Sequence, residues 1–270
     1  MTFLVVGQQR GPRNARTDPA TGLRWYTWRG VEYPSVTTAR RLAGIPHRLA
    51  EWQIGQVAAR AMERAAEYSS RLATSDPDEL TKVRQELRQA AVDKREARAA
   101  LGTAVHQAIE SQMGLSVVGS DIAPRLRQFL DWRATSGVEI LGQELQVWSP
   151  TIGYAGSVDL LGRFPDGSVW VVDYKTGDGL YSDQLLQLLA YLMADFVGVD
   201  DVVDDAMTEL LREATGVALL HLEDDGWEFR SLEATPAAWR AWRGLLAFAR
   251  WQADHLEIDS VTLGTKKGAA

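Results

Sequence analysis

The spacing of hydrophobic and polar residues changes from a helical to an extended pattern just after Thr135. Before that point, apolar positions with a helical period predict helices over Arg48–Arg71, from Asp76 to about Gln112 and over Ala123–Thr135. After it, runs rich in β-branched and aromatic residues predict strands at Val138–Trp148, Tyr154–Phe164 and Ser168–Tyr174. The pair Asp166-Gly167 between the last two runs predicts a tight hairpin turn.

The remaining segments complete an order of alternating helices and strands. Alternation within Arg24–Tyr33 predicts a small N-terminal hairpin, and Ser35 or Thr37 is a candidate cap for a short helix that runs to Gly44. The acidic run Asp200–Asp205 predicts a surface loop or a helix start. Later segments predict a helix, a strand pair and a closing helix at Asp183–Val197, Gly216–Glu223 with Trp227–Leu232, and Pro236–His255. This order predicts a mixed α/β fold in which helices flank a central sheet.

Length and composition suit one large core with appended helices, since the chain has 270 residues, 46% of them hydrophobic. We expect residues 1–95 to be an N-terminal hairpin and helical region of the same globule, 96–258 the core, and 259–270 a flexible tail. No apolar run approaches the roughly 18 residues that span a membrane. With no cysteine, disulfides, thiolate zinc sites and iron–sulfur clusters are excluded. We therefore expect a cytoplasmic protein without a membrane partner.

The net charge of −7 hides an uneven distribution. Residues 1–60 contain nine arginines and three acidic residues, a local balance of +6, so the remainder carries −13. A basic region on an acidic body predicts contacts with phosphate groups, and we expect them at Arg40, Arg41 and Arg48. The alternative is a chance asymmetry that only favours solubility.

The strongest chemical signal is a group of charged residues within the predicted strands. Asp173 and Lys175 are two residues apart, so they project from the same face of one strand. Asp159 comes from the neighbouring strand of the hairpin, among apolar residues, where an uncompensated carboxylate is costly. A divalent cation shared by the two carboxylates would compensate them; a salt bridge to Lys175 is the alternative.

Lys175 is notable because lysine is rare in this chain. The sequence has 24 arginines and five lysines, and Lys175 is the lysine that falls in a predicted strand. Arginine stays protonated, whereas lysine can shift its pKa and exchange a proton. Because a site that orients or activates water needs such a group, we interpret Asp159, Asp173 and Lys175 as a catalytic centre.

An upstream helix and the first strand offer further ligands. His106 lies in a predicted helix, with Glu110 one turn later on the same face. Imidazole combined with carboxylates suits Mg²⁺ or Mn²⁺, and the imidazole favours Mn²⁺. Glu144, on the first predicted strand, is a candidate ligand or supporting group. A hydrogen-bonded helical histidine and a solvent-facing glutamate are the alternatives.

The helix after Lys175 presents polar residues on one face. Gln184, Gln187 and Tyr191 occupy positions i, i+3 and i+7 beside a stripe of leucines. Gln187 and Tyr191 are candidates to hydrogen-bond a phosphate group or Lys175. A hydrated helix face is the alternative.

Together these residues resemble the RecB-like nucleases of the PD-(D/E)xK superfamily. The family's Gly-Thr-x-x-His helix, Gly-x-x-Asp hairpin, Asp-x-Lys strand and Gln-x-x-x-Tyr helix occur in order as Gly102–His106, Gly156–Asp159, Asp173–Lys175 and Gln187–Tyr191. The segment Tyr33–Thr37 is also similar to phage-type relatives. Some relatives carry a cysteine-ligated iron–sulfur cluster, and this cysteine-free chain departs from them. The resemblance implies a restriction-endonuclease-like core.

The resemblance also implies a metal site that binds Mg²⁺ or Mn²⁺. Asp159 and Asp173 would bind the cation, the backbone carbonyl of Tyr174 would complete the sphere, and His106 would add an imidazole. Beyond these ligands, Glu144 stays a candidate from its position alone.

The implied activity is hydrolysis of DNA phosphodiesters. Lys175 would position the attacking water and stabilise charge on the phosphoryl group, while Gln187 and Tyr191 would orient the lysine or the DNA. We expect an exonuclease of phage or bacterial DNA recombination or processing, acting on duplex ends or single strands, with a single-strand annealing or recombination protein as a candidate partner. A structure-specific or restriction-type endonuclease, and an inactive member that binds DNA ends or a protein, are the alternatives. The oligomeric state stays open.

Overall fold

The computed structural model describes residues 14–19, 21–43, 47–73, 76–177 and 179–254, which contain two sheets. The small sheet is antiparallel and consists of β1 (Ala15–Thr17), β2 (Arg24–Trp28) and β3 (Val31–Pro34). The large sheet consists of β4 (Glu139–Ser149), β5 (Tyr154–Arg163), β6 (Val169–Lys175), β7 (Phe196–Val199), β8 (Val202–Val203), β9 (Ala214–Leu222) and β10 (Trp227–Glu233). Its strand order is β10-β9-β6-β5-β4-β7-β8.

Helices cover the large sheet on both faces. The helices of the described residues are α1 (Val36–Leu42), α2 (His47–Glu63), α3 (Ala65–Leu72), α4 (Pro77–Glu110), α5 (Ala123–Ser136), α6 (Ser182–Leu192), α7 (Asp205–Arg212) and α8 (Pro236–Asp254), of which α2 and α3 pack on α4. No helix in these ranges combines the length and the apolar character that a membrane span requires. The predicted mixed α/β fold, with an N-terminal hairpin and flanking helices, is confirmed.

The β5–β6 hairpin forms around the predicted Asp166-Gly167 turn. β4 with β5 and β5 with β6 form antiparallel hairpins, whereas β6 runs parallel to β9. One sheet face packs against α1, α6 and α8, where Trp242 is fully buried. The other face packs against α5 and the end of α4 around Trp132 and Val105. Burying apolar side chains on both faces stabilises the sheet that carries the candidate residues.

The predicted helix Asp183–Val197 was too long. Helix α6 ends at Leu192, and β7 then pairs with β4, with Val197 opposite Val147. A short apolar run is equally compatible with a helix and with a buried strand. In this chain the run forms β7, which pairs near the edge of the sheet. The acidic run also contains the two-residue strand β8, and Asp204 caps α7 by accepting a hydrogen bond from the N–H of Met207.

The predicted helix Arg48–Arg71 divides into α2 and α3. Arg64 stands between them with non-helical dihedral angles, φ −110° and ψ 21°. Its guanidinium donates to Glu67 on α3 and to Glu86 on α4. We call α2, α3 and residues 77–99 of α4 the helical arm.

Candidate metal and catalytic site

The β5–β6 hairpin places Asp159 and Asp173 on adjacent strands. Leu160 pairs with Val172, and the next positions in this antiparallel register are Asp159 and Asp173. The Asp159 carboxylate accepts a 2.9 Å hydrogen bond from the backbone N–H of Tyr174. Only 8% of Asp159 and 2% of Asp173 is exposed. Two buried neighbouring carboxylates repel each other, which favours a cation between them.

Lys175 lies beside this carboxylate pair. Its ammonium group contacts Oδ2 of Asp173, and 22% of its side chain is exposed. The salt bridge considered as the alternative interpretation is therefore present. It also holds the ammonium at the edge of the cluster, where solvent or a substrate can reach it.

His106 and Glu144 join Asp159 to form a group that could hold a metal ion. Nδ1 of His106 lies 3.5 Å from Oδ2 of Asp159 and 3.8 Å from Oε1 of Glu144. Each of the three residues offers a ligand atom within 4.8 Å of the other two. The carbonyl oxygen of Tyr174 lies 3.3 Å from Nε2 of His106. Two carboxylates, an imidazole and a carbonyl suit Mg²⁺ or Mn²⁺, so the residues present fit such an ion.

An unusual backbone conformation at Glu144 accompanies its place in the cluster. Its φ is 49°, in the left-handed region, which costs roughly 1–2 kcal/mol for a residue with a Cβ. The hydroxyl of Ser157 donates a 3.0 Å hydrogen bond to the Glu144 carboxylate. Such strain concentrates at functional sites, and the Ser157 bond directs the carboxylate toward the cluster.

The cluster holds protons near neutral pH. Burial alone would lower the pKa of His106, but the charges of Asp159 and Asp173 and a hydrogen bond with Glu144 outweigh it and raise the pKa to about 9. Burial and the charge of Asp173 raise the pKa of Asp159 to about 7, against the opposing effects of His106 and Lys175. A bound cation would displace these protons.

Gln187 and Tyr191 form a buried pair on α6, so these two side chains are not part of a hydrated surface. Nε2 of Gln187 donates a 2.6 Å hydrogen bond to the hydroxyl of Tyr191. The tyrosine ring lies so close to Gly156 that a Cβ there would overlap it. This close approach explains a glycine three residues before Asp159.

The three arginines expected to contact phosphate groups differ in their surroundings. Arg40 contacts the side chains of Gln187 and Asp183, which links α1 to the polar face of α6. Arg41 is exposed and donates to the carbonyl of Gly22 over 2.7 Å. Arg48 lies in α2, and its side chain falls outside the described part of the chain. The expectation of phosphate contacts stays a prediction for all three.

His221 is a neighbour of Lys175 that the sequence pattern did not single out. It lies opposite Lys175 in the parallel β6–β9 pairing and is 3% exposed. Its Nε2 donates a 2.5 Å hydrogen bond to the carbonyl of Gly177, in the turn that follows Lys175. No local motif could have indicated it, because the contact depends on the pairing of two strands distant in sequence.

This arrangement, a buried carboxylate cluster with a lysine on the central strands of a mixed sheet, defines a candidate metal-dependent hydrolase. The family model of the PD-(D/E)XK nuclease superfamily matches residues 22–258, and the chain belongs to that superfamily. Membership implies nuclease activity, while the RecB-like branch stays a resemblance.

No curated protein matches the chain. Among solved structures it is similar to the crystal structure of SSO0001, with 16% identity and a TM-score of 0.31, over 59% of this chain and 73% of that chain.

Proposed function

We propose that the protein is an Mg²⁺- or Mn²⁺-dependent deoxyribonuclease, a RecB-like exonuclease that acts in phage or bacterial DNA recombination or processing. The observation that carries the proposal is the cluster of His106, Glu144 and Asp159, whose ligand atoms lie within 4.8 Å of one another. The ion pair of Asp173 and Lys175 adjoins this cluster. Superfamily membership supplies the hydrolytic activity, and the buried carboxylates supply the cation site.

Four side chains and one carbonyl would hold the cation. Asp159, Glu144 and His106 provide the clustered ligand atoms, Asp173 lies on the adjacent strand, and the Tyr174 carbonyl faces the imidazole. When bound, the cation lowers the pKa of a water molecule and neutralises charge on the phosphate group.

Lys175 acts on the reacting groups. Its ammonium donates hydrogen bonds to the attacking water and to a non-bridging phosphate oxygen, where negative charge increases in the transition state. The water oxygen bonds to phosphorus and releases a proton to solvent, one phosphodiester P–O bond breaks, and the leaving oxygen keeps the electron pair and accepts a proton from solvent. Gln187 and Tyr191 stabilise the face of α6 that lies beside β6, the strand of Lys175.

The decisive experiment compares linear and closed circular DNA incubated with Mn²⁺, Mg²⁺ or EDTA. An exonuclease degrades the linear form and spares the circle, and EDTA stops it. Cleavage of the circle would identify an endonuclease instead. Survival of both substrates under every metal condition would contradict nuclease activity.

Replacement of Lys175 tests its role directly. Lys175→Ala should lower turnover by about 10²–10³-fold, because it removes a donor to developing charge, while Mn²⁺ binding is retained. Lys82→Ala is the matched control, since Lys82 is exposed on the helical arm and pairs with Glu79. Near-normal turnover by Lys175→Ala would show that the lysine is not catalytic.

A further inference from the structure

One face of helix α4 extends along the helical arm to His106, and it contains no acidic residue. At about 100° per residue, six positions from residue 84 onward lie within about 40° of His106 around the helix axis. They are Arg84, Arg88, Val92, Arg95, Ala99 and Gly102. We call Arg84, Arg88 and Arg95 the arginine stripe.

The arginine stripe is exposed, and it faces away from the rest of the arm. Helix α2 packs against another side of α4, where Ala90 is buried. Within the described ranges, no hydrogen bond or ion pair joins the stripe to another residue. By contrast, Arg64 and Arg71, which hold α3 to α4, are paired with glutamates. The side chains of the arginine stripe therefore make no polar contact that would stabilise the fold of the described residues.

The arginine stripe extends away from the site over about the length of one turn of duplex DNA. With a rise of about 1.5 Å per residue, Arg95, Arg88 and Arg84 lie about 16, 27 and 33 Å from His106 along the axis. At about 3.4 Å per base pair, these distances correspond to about 5, 8 and 10 base pairs. Because Gly102 and Ala99 are small, no large side chain projects from this face of α4 between the site and Arg95.

We infer that the arginine stripe binds the phosphate backbone of the DNA substrate at a distance from the cleaved bond. The inference rests on the proposed function for its substrate, and its support is charge complementarity and continuity with the site. The stripe then sets affinity for long DNA, whereas the site contacts short DNA without it. A stripe that only solvates the helix would show no dependence on DNA length.

The test measures binding of fluorescein-labelled DNA by anisotropy, with Ca²⁺ in place of Mg²⁺ or Mn²⁺, at several salt concentrations. The double variant Arg88→Gln/Arg95→Gln is compared with Lys82→Gln/Lys94→Gln, which removes the same charge from other faces of α4. The probes are a 20-base-pair duplex and a hairpin of four base pairs. The stem of the hairpin extends about 14 Å and ends short of Arg95, so only its loop approaches the first arginine.

The arginine variant should bind the duplex about tenfold more weakly, with a salt dependence shallower by about 1.8 in log–log slope, because two phosphate contacts are lost. It should bind the hairpin as the unaltered protein does, and the lysine variant should stay within about twofold on both probes. Equal losses in the two variants, a loss on the hairpin of the same size, or no loss at all would overturn the inference. If the protein binds the duplex through the stripe but cleaves no DNA, the proposed function fails while the stripe stands.

Discussion

Carboxylates in the sheet and in the helical arm experience opposite electrostatic environments. Burial and the neighbouring Asp173 raise the pKa of Asp159 to about 7. On the arm, hydrogen bonds with Lys82 and Arg71 lower the pKa of Glu79. The charge of Glu79 is therefore favoured by the fold, whereas the charge of Asp159 is disfavoured. A disfavoured charge at the centre of a sheet indicates that the position serves binding more than stability.

Asp159 and Glu79 should therefore change the stability of the fold with pH in opposite directions. The folded pKa of Asp159 lies above its unfolded value of about 3.9, so its contribution to stability is largest below that pH and is lost as pH rises toward 7. The folded pKa of Glu79 is lowered, so its contribution is present above about pH 4.3 and is lost as pH falls.

The largest effect is expected for Asp159→Asn. Activity should fall by about 10³-fold, because the cation loses a charged ligand. The metal-free variant should nevertheless melt above the unaltered protein at pH 8, by about 2–4 °C for each kcal/mol of repulsion removed. Differential scanning fluorimetry in EDTA measures this shift.

Glu79→Gln is the matched control on the helical arm. It should leave activity unchanged and lower the melting temperature, since a favourable charge is removed. Added Mn²⁺ should raise the melting temperature of the unaltered protein and of Glu79→Gln, but not that of Asp159→Asn. A metal-free Asp159→Asn variant that melts below the unaltered protein would remove the contrast between the two regions.

The next effect concerns stability alone. Trp132 is 1% exposed on the second face of the sheet and stacks on Phe229 with ring centroids 5.7 Å apart. Trp132→Ala should cost about 3–5 kcal/mol in urea unfolding, because it leaves a cavity. Trp251, which is 57% exposed, provides the control. Equal losses for the two tryptophans would show that the sheet faces do not dominate stability.

Local patterns predicted which charged residues lie together on the central strands. The Asp-x-Lys alternation places Asp173 and Lys175 on one strand face, and the Asp166-Gly167 turn brings the neighbouring strand alongside. Both features depend on residues near each other in sequence, where strand geometry leaves little choice. The position of Asp159 opposite Asp173 follows from them.

Features that depend on distant pairing could not be predicted in this way. The contact of His221 with the turn after Lys175 requires the parallel β6–β9 pairing. The position of Glu144 on the first strand made it a candidate ligand, but its positive φ has no signal in the sequence. The contacts of Arg40 with α6 likewise require tertiary packing, which its place in a basic N-terminal region does not indicate.

A moderate effect is expected at His221. His221→Leu removes the hydrogen bond to the Gly177 carbonyl and should lower kcat by about tenfold with an unchanged KM, since the turn after Lys175 is less well positioned. His221→Gln keeps an N–H donor and should restore most of the loss. Steady-state kinetics on linear DNA gives both constants.

Val217→Ala is the control for a general loss of stability, because Val217 is buried on the same strand. It should lower the melting temperature and leave kcat near normal. If His221→Gln is as impaired as His221→Leu, the hydrogen bond is not what matters at this position.

The smallest effect is expected on the helical arm, at Arg71. Its guanidinium bridges Glu67 on α3 to Glu79 and Glu86 on α4, and about a quarter of the side chain, 24%, is exposed. Arg71→Ala should lower the melting temperature by about 1–3 °C at low salt and by less in ~1 M salt, where such pairs are screened. Arg212→Ala, which removes an exposed pair with Glu209 and a long 3.4 Å hydrogen bond to the Asp195 carbonyl, should have a smaller effect. An Arg71→Ala loss that matched Trp132→Ala and persisted in high salt would show that the arm is held by more than exposed charge pairs, and the distinction between the two regions would then fail.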